Sequence, residues 1–208
     1  MTSIIKVDTI QSAAGSTVLE QTNATTITLG TSGQTIVPAS NVTLSGIATT
    51  NGITEADQWR LTTNFSNDAQ PIASNLERND TSFSYIGTGM SESSGVFTFP
   101  STGIYLVKYN ITAIISGNGE DGKVNPLIEI TTDGTNFSTV ADSQFNLADD
   151  SNGTLARGST ELNIIFDVTN TSTHKVRFTV LVNNTSTQTN SSSTENRTYF
   201  TFIRLGDT

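Results

Sequence analysis

An all-β chain, folded as an antiparallel jelly-roll sandwich behind a slender N-terminal extension, is what three features of this sequence predict. The first is alternation. Leu162, Ile164, Phe166 and Val168 recur at every second position, as do Val176, Phe178, Val180 and Val182. A period of two places each set on one face of a strand. The second is composition: roughly two residues in five are Thr, Ser or Asn, the first a strand former and the other two turn formers. The third is the segment Ser94–Tyr105, in which a short strand stops at a proline and a long strand restarts at a glycine.

The strands follow in order. Gln58–Phe65 alternates Trp59, Leu61, Thr63 and Phe65 on one face. Pro71–Glu77, Phe83–Ile86 and Gly95–Phe99 are short apolar runs between turn residues. Ile104–Ile115 is long enough to cross a whole sheet. Pro126–Thr132, Phe137–Phe145, Glu161–Val168, Lys175–Asn183 and Arg197–Leu205 complete the set. Thr132-Asp133-Gly134-Thr135 carries the Asp-Gly signal of a tight hairpin. About ten strands with polar turns suit a two-sheet sandwich. Ile53–Arg60 has room for one short helical turn, and no other helix is read. The polar run Asn183–Asn196 joins two strands and is expected on the surface as a connector or a recognition tip.

Within Ser94–Tyr105, Phe97 and Phe99 share a strand face, Pro100 cannot donate to a ladder, and Gly103 permits a sharp re-entry. The pattern Gly95-x-Phe97-x-x-Pro100-x-x-Gly103-x-Tyr105 resembles the jelly rolls of the complement globular-head and tumour-necrosis-factor families. That resemblance implies a trimer serving recognition or assembly and not catalysis.

The closing run Tyr199-Phe200-Thr201-Phe202-Ile203-Arg204-Leu205 is apolar on both faces, so something must cover the second. Phe200 and Phe202 share one face; Tyr199, Ile203 and Leu205 share the other. In the family it resembles, the last strand lies near the threefold axis. Tyr199, Phe200 and Phe202, with Tyr105, Val107 and Tyr109 on the long strand, are therefore the candidate trimer interface or core seam. A central strand buried within one chain explains the same pattern.

Residues 1 to about 55 hold no aromatic side chain. Small apolar pairs recur there between Gly, Ser and Thr, as in Ile27-Thr28-Leu29-Gly30 and Val42-Thr43-Leu44-Ser45-Gly46. One copy of such a segment buries too little to offset its ordering entropy. The expected division is a docking segment at 1–20, an extended β-stalk or flexible linker at 21–56 and a jelly-roll knob at 57–208. Ser3–Gln11 followed by Gly15–Leu19 resembles the opening of virion proteins of marine tailed bacteriophages. Ile4, Ile5, Val7 and Ile10 on that alternating strand are the candidate virion-docking residues, since an exposed strand pairs readily with another sheet's edge. An ordinary first strand folded onto its own domain is the plainer alternative.

The balance of 10 Lys and Arg against 19 Asp and Glu gives a net charge of −9. The cations are scattered, which argues against nucleic acid. No cysteine occurs, so disulfides and thiolate chemistry are excluded. His174, the one histidine, sits in a turn with no Gly-x-Ser-x-Gly elbow elsewhere. The acid pairs Glu55/Asp57, Glu77/Asp80, Glu120/Asp121 and Asp149/Asp150 fall in loops or at strand ends, where solvated acids are ordinary. No cofactor is expected. Calcium has two candidate loops, Asn118–Gly122 and Asp149–Gly153, neither with EF-hand spacing. No run approaches the ~20 apolar residues of a membrane helix, so no membrane insertion is expected. The opening residues lack a basic and apolar leader, so the expected route is assembly in a host cytoplasm and release by lysis.

The reading is a non-enzymatic bacteriophage structural protein on the virion surface. It is expected as a homotrimer, tied to other virion proteins by its N-terminal segment. The knob serves host attachment to a bacterial surface glycan or protein. A mainly architectural capsid decoration or head fibre is the alternative, and short chain length favours it.

Overall fold

The computed structural model describes residues 52–82, 84–115, 122–148 and 155–208. The docking segment, the stalk and the docking candidates Ile4, Ile5, Val7 and Ile10 lie outside the described residues, as do both acidic pairs of the calcium loops. Among the described residues every helix or strand is a strand. They run β1 Ala56–Leu61, β2 Phe65–Ser66, β3 Leu76–Arg78, β4 Ser91–Ser93, β5 Val96–Thr98, β6 Gly103–Ile115 and β7 Gly122–Thr131. After them come β8 Ser138–Asp142, β9 Phe145–Leu147, β10 Ala156–Val168, β11 Lys175–Val182, β12 Thr187–Thr189 and β13 Tyr199–Gly206.

Two antiparallel sheets form a jelly roll. The first runs β2-β12-β6-β13-β1-β3, with β10 on the free side of β6; the second runs β4-β5-β11-β7-β8, with β9 also on β7. Among the described strands the chain changes sheet between β3 and β4, between β5 and β6, between β6 and β7, between β9 and β10, and on either side of β11. β6 is the spine. One edge pairs with β10 from Gly103 to Ile115; the other is shared by β13 and β12.

The core lies between the sheets. Odd positions of β6 from Tyr105 to Ile115 are buried, as are Phe200 and Phe202 of β13, while Phe97, Val176, Phe178 and Val180 come from the second sheet. Phe97 reaches across: its ring lies 5.1 Å from Phe202, 5.5 Å from Trp59, 5.6 Å from Phe178 and 5.8 Å from Phe200. Phe178 and Phe200 stack at 4.2 Å.

The Ser94–Tyr105 segment folds by its local chemistry. Ser94 and Gly95 both take positive φ in the β4–β5 turn. Gly103 has φ +146, and a Cβ there would strike Arg204 and the carbonyl of Gly206. The Tyr105 hydroxyl turns back to donate to the Ser101 carbonyl at 3.1 Å and meets the Ser101 hydroxyl at 3.0 Å. That clamps the proline turn onto the long strand.

Several expectations need correction. Ile53–Arg60 forms no helical turn: Ala56–Leu61 is strand β1, held by β13 and β3. The run to Phe65 breaks: β1 ends at Leu61, with last in-register bonds from Leu61 N–H to Thr198 O and Thr62 N–H to Asn75 O, and Phe65 starts β2, which pairs with β12 instead. Pro71–Glu77 contributes only Leu76–Arg78. Ile86 makes a single bridge to Ala56 rather than a strand. Phe137–Phe145 is two strands, β8 and β9, which pair with different parts of β7. Pro126 sits on β7 where β9 pairing gives way to β8, so its missing N–H interrupts no ladder bond. The Asp133-Gly134 turn is wider than a two-residue hairpin. Asp133 accepts from the backbone N–H of Thr135 and Asn136 at 2.8 Å each and from the Asn136 side chain at 2.7 Å, bonds that hold its carboxyl far below the usual range.

The polar run Asn183–Asn196 departs furthest from a surface connector. Thr187, Thr189, Asn190 and Ser191 are buried, and Thr187–Thr189 is strand β12, paired to both β6 and β2. Its backbone is satisfied internally: Asn190 N–H donates to Thr112 O, Ser192 N–H to Leu61 O, and Ser191 N–H to the Asn64 side chain. Paired backbone lowers the cost of burying this polar segment, although the hydroxyls of Thr187 and Thr189 are buried without a hydrogen-bond partner among the described residues.

Two tyrosines on β6 should respond oppositely to loss of their hydroxyls. Tyr105→Phe removes the clamp and should cost ~1 kcal/mol. The Tyr109 hydroxyl is buried without a hydrogen-bond partner among the described residues, and burial pushes its pKa far up. Tyr109→Phe should therefore be neutral or stabilising by ~1 kcal/mol. Urea unfolding of both variants checks this; a destabilised Tyr109→Phe would show that the hydroxyl is satisfied in solution.

Candidate functional site

Strand pairing builds a row of apolar residues across the outward face of the first sheet. Ile165 of β10 lies opposite Leu106 of β6, Leu106 opposite Ile203 of β13, Ile203 opposite Ala56 of β1, and Ala56 bridges to Ile86. The alternation that sends Tyr105 and Val107 inward sends Leu106 outward. Ile165 is 69% exposed and Ile86 48%. Leu205, 54% exposed, follows on β13. The neighbouring row is polar. Asn163, Lys108, Thr201 and Gln58 stand in register, with Lys108 paired to Glu161 at 2.9 Å and Gln58 donating to Thr201 at 2.8 Å. Among the described residues β10 pairs with β6 alone, so its outer edge is open beside the apolar row.

The six seam residues divide. Tyr105, Val107, Tyr109, Phe200 and Phe202 are buried inside the single chain. Tyr109 lies opposite Phe200 and Val107 opposite Phe202. Their cover is the second sheet, so they need no sister subunit. Tyr199 is half-buried and belongs to the outward face with Ile203. The outward apolar row runs instead through Ile165, Leu106 and Ile203. The signal was present in the sequence as the even positions of the long strand, Ile104 and Leu106, overshadowed by the aromatic odd positions.

The described acid pairs are engaged in holding structure. Glu55 accepts from the N–H of Thr88 and Gly89. Asp57 is buried and takes Arg78 Nε at 3.0 Å, Trp59 Nε1 at 2.9 Å and Met90 N–H at 2.7 Å. Glu77 and Asp80 both bind the buried guanidinium of Arg60, at 2.7 and 2.6 Å. Arg78 in turn lies 5.0 Å from the ring of Trp59 and 4.6 Å from that of Tyr85, so the tryptophan is taken up in packing. His174 stacks on Phe166 and contacts the hydroxyls of Thr169 and Thr173. Among the described residues no group of three or more His, Asp and Glu could hold a metal ion.

On the second sheet, Glu129 faces Arg177 across β7 and β11. Arg177 donates to both carboxylate oxygens, at 2.9 and 3.1 Å, and Thr179 Oγ1 donates at 2.6 Å. Phe137 covers the guanidinium at 4.3 Å. Burial alone would raise the Glu129 pKa; the hydrogen bonds from Arg177 and Thr179 and the Arg177 charge outweigh it and hold the carboxyl below its ordinary value.

No family model matches this chain, and no curated protein matches it. Two solved structures similar to it are murine APRIL, crystallised at pH 5.0, and Eiger TNF from S. frugiperda. APRIL is 12% identical over 73% of this chain and 98% of its own, with a TM-score of 0.49. Eiger TNF is 10% identical over 74% of this chain and 93% of its own, also at 0.49. The jelly-roll assignment rests on the strand order described above.

Because the Glu129 carboxyl is depressed in the folded state, its contribution is full above the unfolded pKa of ~4.3. It is lost as pH falls through the folded value. Glu129→Gln should cost about 1–3 kcal/mol at neutral pH and flatten this part of the acid limb. Denaturant melts at pH 7 and below pH 4 measure both; an equal loss at the two pH values would remove Glu129 as the titrating group.

Proposed function

We propose that this chain is a non-enzymatic bacteriophage structural protein whose jelly roll assembles as a homotrimer and is displayed on the virion for attachment to the host surface. The observation that carries the assembly is the apolar row on the outward face of the first sheet. A sheet face in water should present polar side chains, and an apolar row flanked by a polar one marks a contact surface. Ile165 beside the open edge of β10 gives a neighbouring copy both a side chain and a backbone edge to meet. Burying this face in a trimer would remove well over ~1,000 Å² in total. The N-terminal resemblance to phage virion proteins supplies the setting. Many copies on one particle would turn weak knob contacts into firm adhesion by avidity.

Equilibrium sedimentation of the full chain should return about three times the 22.1 kDa protomer mass. Ile165→Lys should shift that mass towards one protomer with an unchanged far-ultraviolet dichroism spectrum. A single-protomer mass for the unaltered chain at high concentration would overturn the assembly. Copy number per virion then separates attachment from shell decoration: a few dozen or fewer copies fit a tail-mounted fibre, and hundreds fit decoration.

A further inference from the structure

At the end of the sandwich where β11 finishes, two adjoining hollows of about 270 and 190 Å³ share Val182 and Asn183 in their walls. Asn67 and Asp68 of the loop after β2 close one side; Lys123 and Asn125 of β7 and Leu181 of β11 close the other. We infer that this trough binds an uncharged, polyhydroxylated sugar ring of a host surface glycan, an assignment that rests on the attachment role proposed above.

The trough is held rigidly. Asp68 Oδ1 accepts the Val182 N–H at 2.7 Å, and Ala69 and Val180 exchange two backbone bonds at 2.9 and 3.0 Å. These bonds fasten the loop to β11, and Asn67 turns the chain there at φ +73, a conformation that asparagine adopts more readily than most residues. On the far side Asn183 Oδ1 accepts from Lys123 N–H, and Asn183 N–H donates to Lys123 O. Asn125 Nδ2 donates to Ser143 O. Among the described residues, the second carboxylate oxygen of Asp68, the amide nitrogen of Asn183 and the ammonium of Lys123 carry no protein partner.

These groups select the ligand class. One carboxylate is too little for a metal ion, and it opposes the anion that a single Lys123 would attract. The opposed charges of Asp68 and Lys123 sum to zero, which suits a neutral ligand. No aromatic or deep apolar wall is present to take a flat hydrophobic molecule. A sugar hydroxyl both donates and accepts, so neighbouring hydroxyls can donate to Asp68 and accept from Asn183. Leu181 and Val182 offer an aliphatic surface for the ring's C–H groups.

The test is a transverse-relaxation-optimised NMR titration of the ¹⁵N-labelled full chain with the methyl glycosides of glucose, galactose, mannose and N-acetylglucosamine. Glycerol and sodium sulfate serve as controls. At least one glycoside should move the amide signals of Asn67, Asp68, Val182 and Asn183 and leave that of Asp142 on β8 in place. Asp68→Asn keeps an oxygen for the Val182 N–H but replaces the free acceptor by a donor. It should weaken the active glycoside about tenfold, the loss expected for one hydrogen bond to a charged group. Asp142→Asn should leave affinity unchanged. No response to any glycoside, an equal response to glycerol or sulfate, or unaltered affinity in Asp68→Asn would overturn the assignment. Mass and virion copy number do not depend on the trough, so its failure and a failure of the assembly would be told apart.

Discussion

The contact on which this structure depends is the crossing of Phe97 from the second sheet onto Phe200 and Phe202 of the first. Beyond the connecting segments of the chain, no covalent cross-link ties the two sheets, since a chain without cysteine has no disulfide. What joins them is the exclusion of water from their facing sides. Phe97 sits on a three-residue strand, and its ring meets four other aromatics. Tilted and edge-on pairs of this kind add ~0.5–1.5 kcal/mol each beyond the area they bury. The turn chemistry around that strand follows from the same need. Positive φ at Ser94 and Gly95, the stop at Pro100 and the tight passage at Gly103 place Phe97 and Phe99 inward before the chain crosses to the other sheet.

Because the interior is closed by its own aromatics, the assembly proposed above would rest on the remaining residues. Phe200 and Phe202 are spent on the core, which removes them from any interface. Their outward neighbours Tyr199, Ile203 and Leu205 are released to the surface by the same alternation. A strand apolar on both faces thus has two different tasks, one within the chain and one at its surface. The long β6 repeats the division, with aromatic side chains inward and Ile104 and Leu106 outward.

Most of this fold was legible because period two is hard to mistake over long runs. β6, β11 and β13 stand close to where their alternating residues place them, and β10 ends as expected at Val168 but begins at Ala156, ahead of the expected Glu161. Short strands were less legible for a physical reason: a three-residue strand has no period. β12 is set by pairing partners far away in sequence, as when Thr187 finds Ile115 and Gln188 finds Ser66. The seam candidates were recognisable as apolar positions, but sequence could not say which sheet would cover them. The trough was not legible at all. Asn67, Asp68, Lys123 and Asn183 belong to three separate segments, and only the register of β7 on β11 and the Ala69–Val180 bridge bring them together.

The abundance of threonine, serine and asparagine acquires a physical meaning from β12. In most cores a polar stretch such as Thr187–Ser191 would be costly to bury. Here Thr112, Asn64 and Leu61 offer partners to Asn190, Ser191 and Ser192, and Thr198 donates to the Asn190 carbonyl at 2.7 Å. Threonine keeps the β-branched shape that a strand favours while its hydroxyl links one segment to the next. A chain with little charge can therefore fill the end of the sandwich with polar residues whose backbone is hydrogen-bonded. Thr198 links Thr112 to Asn190, while the Thr187 and Thr189 hydroxyls are buried without a partner among the described residues. The concentrated apolar side chains are left to the inter-sheet core and the outward row. That segregation makes the exposed row on the first sheet informative, because the composition had polar residues to spare for those positions.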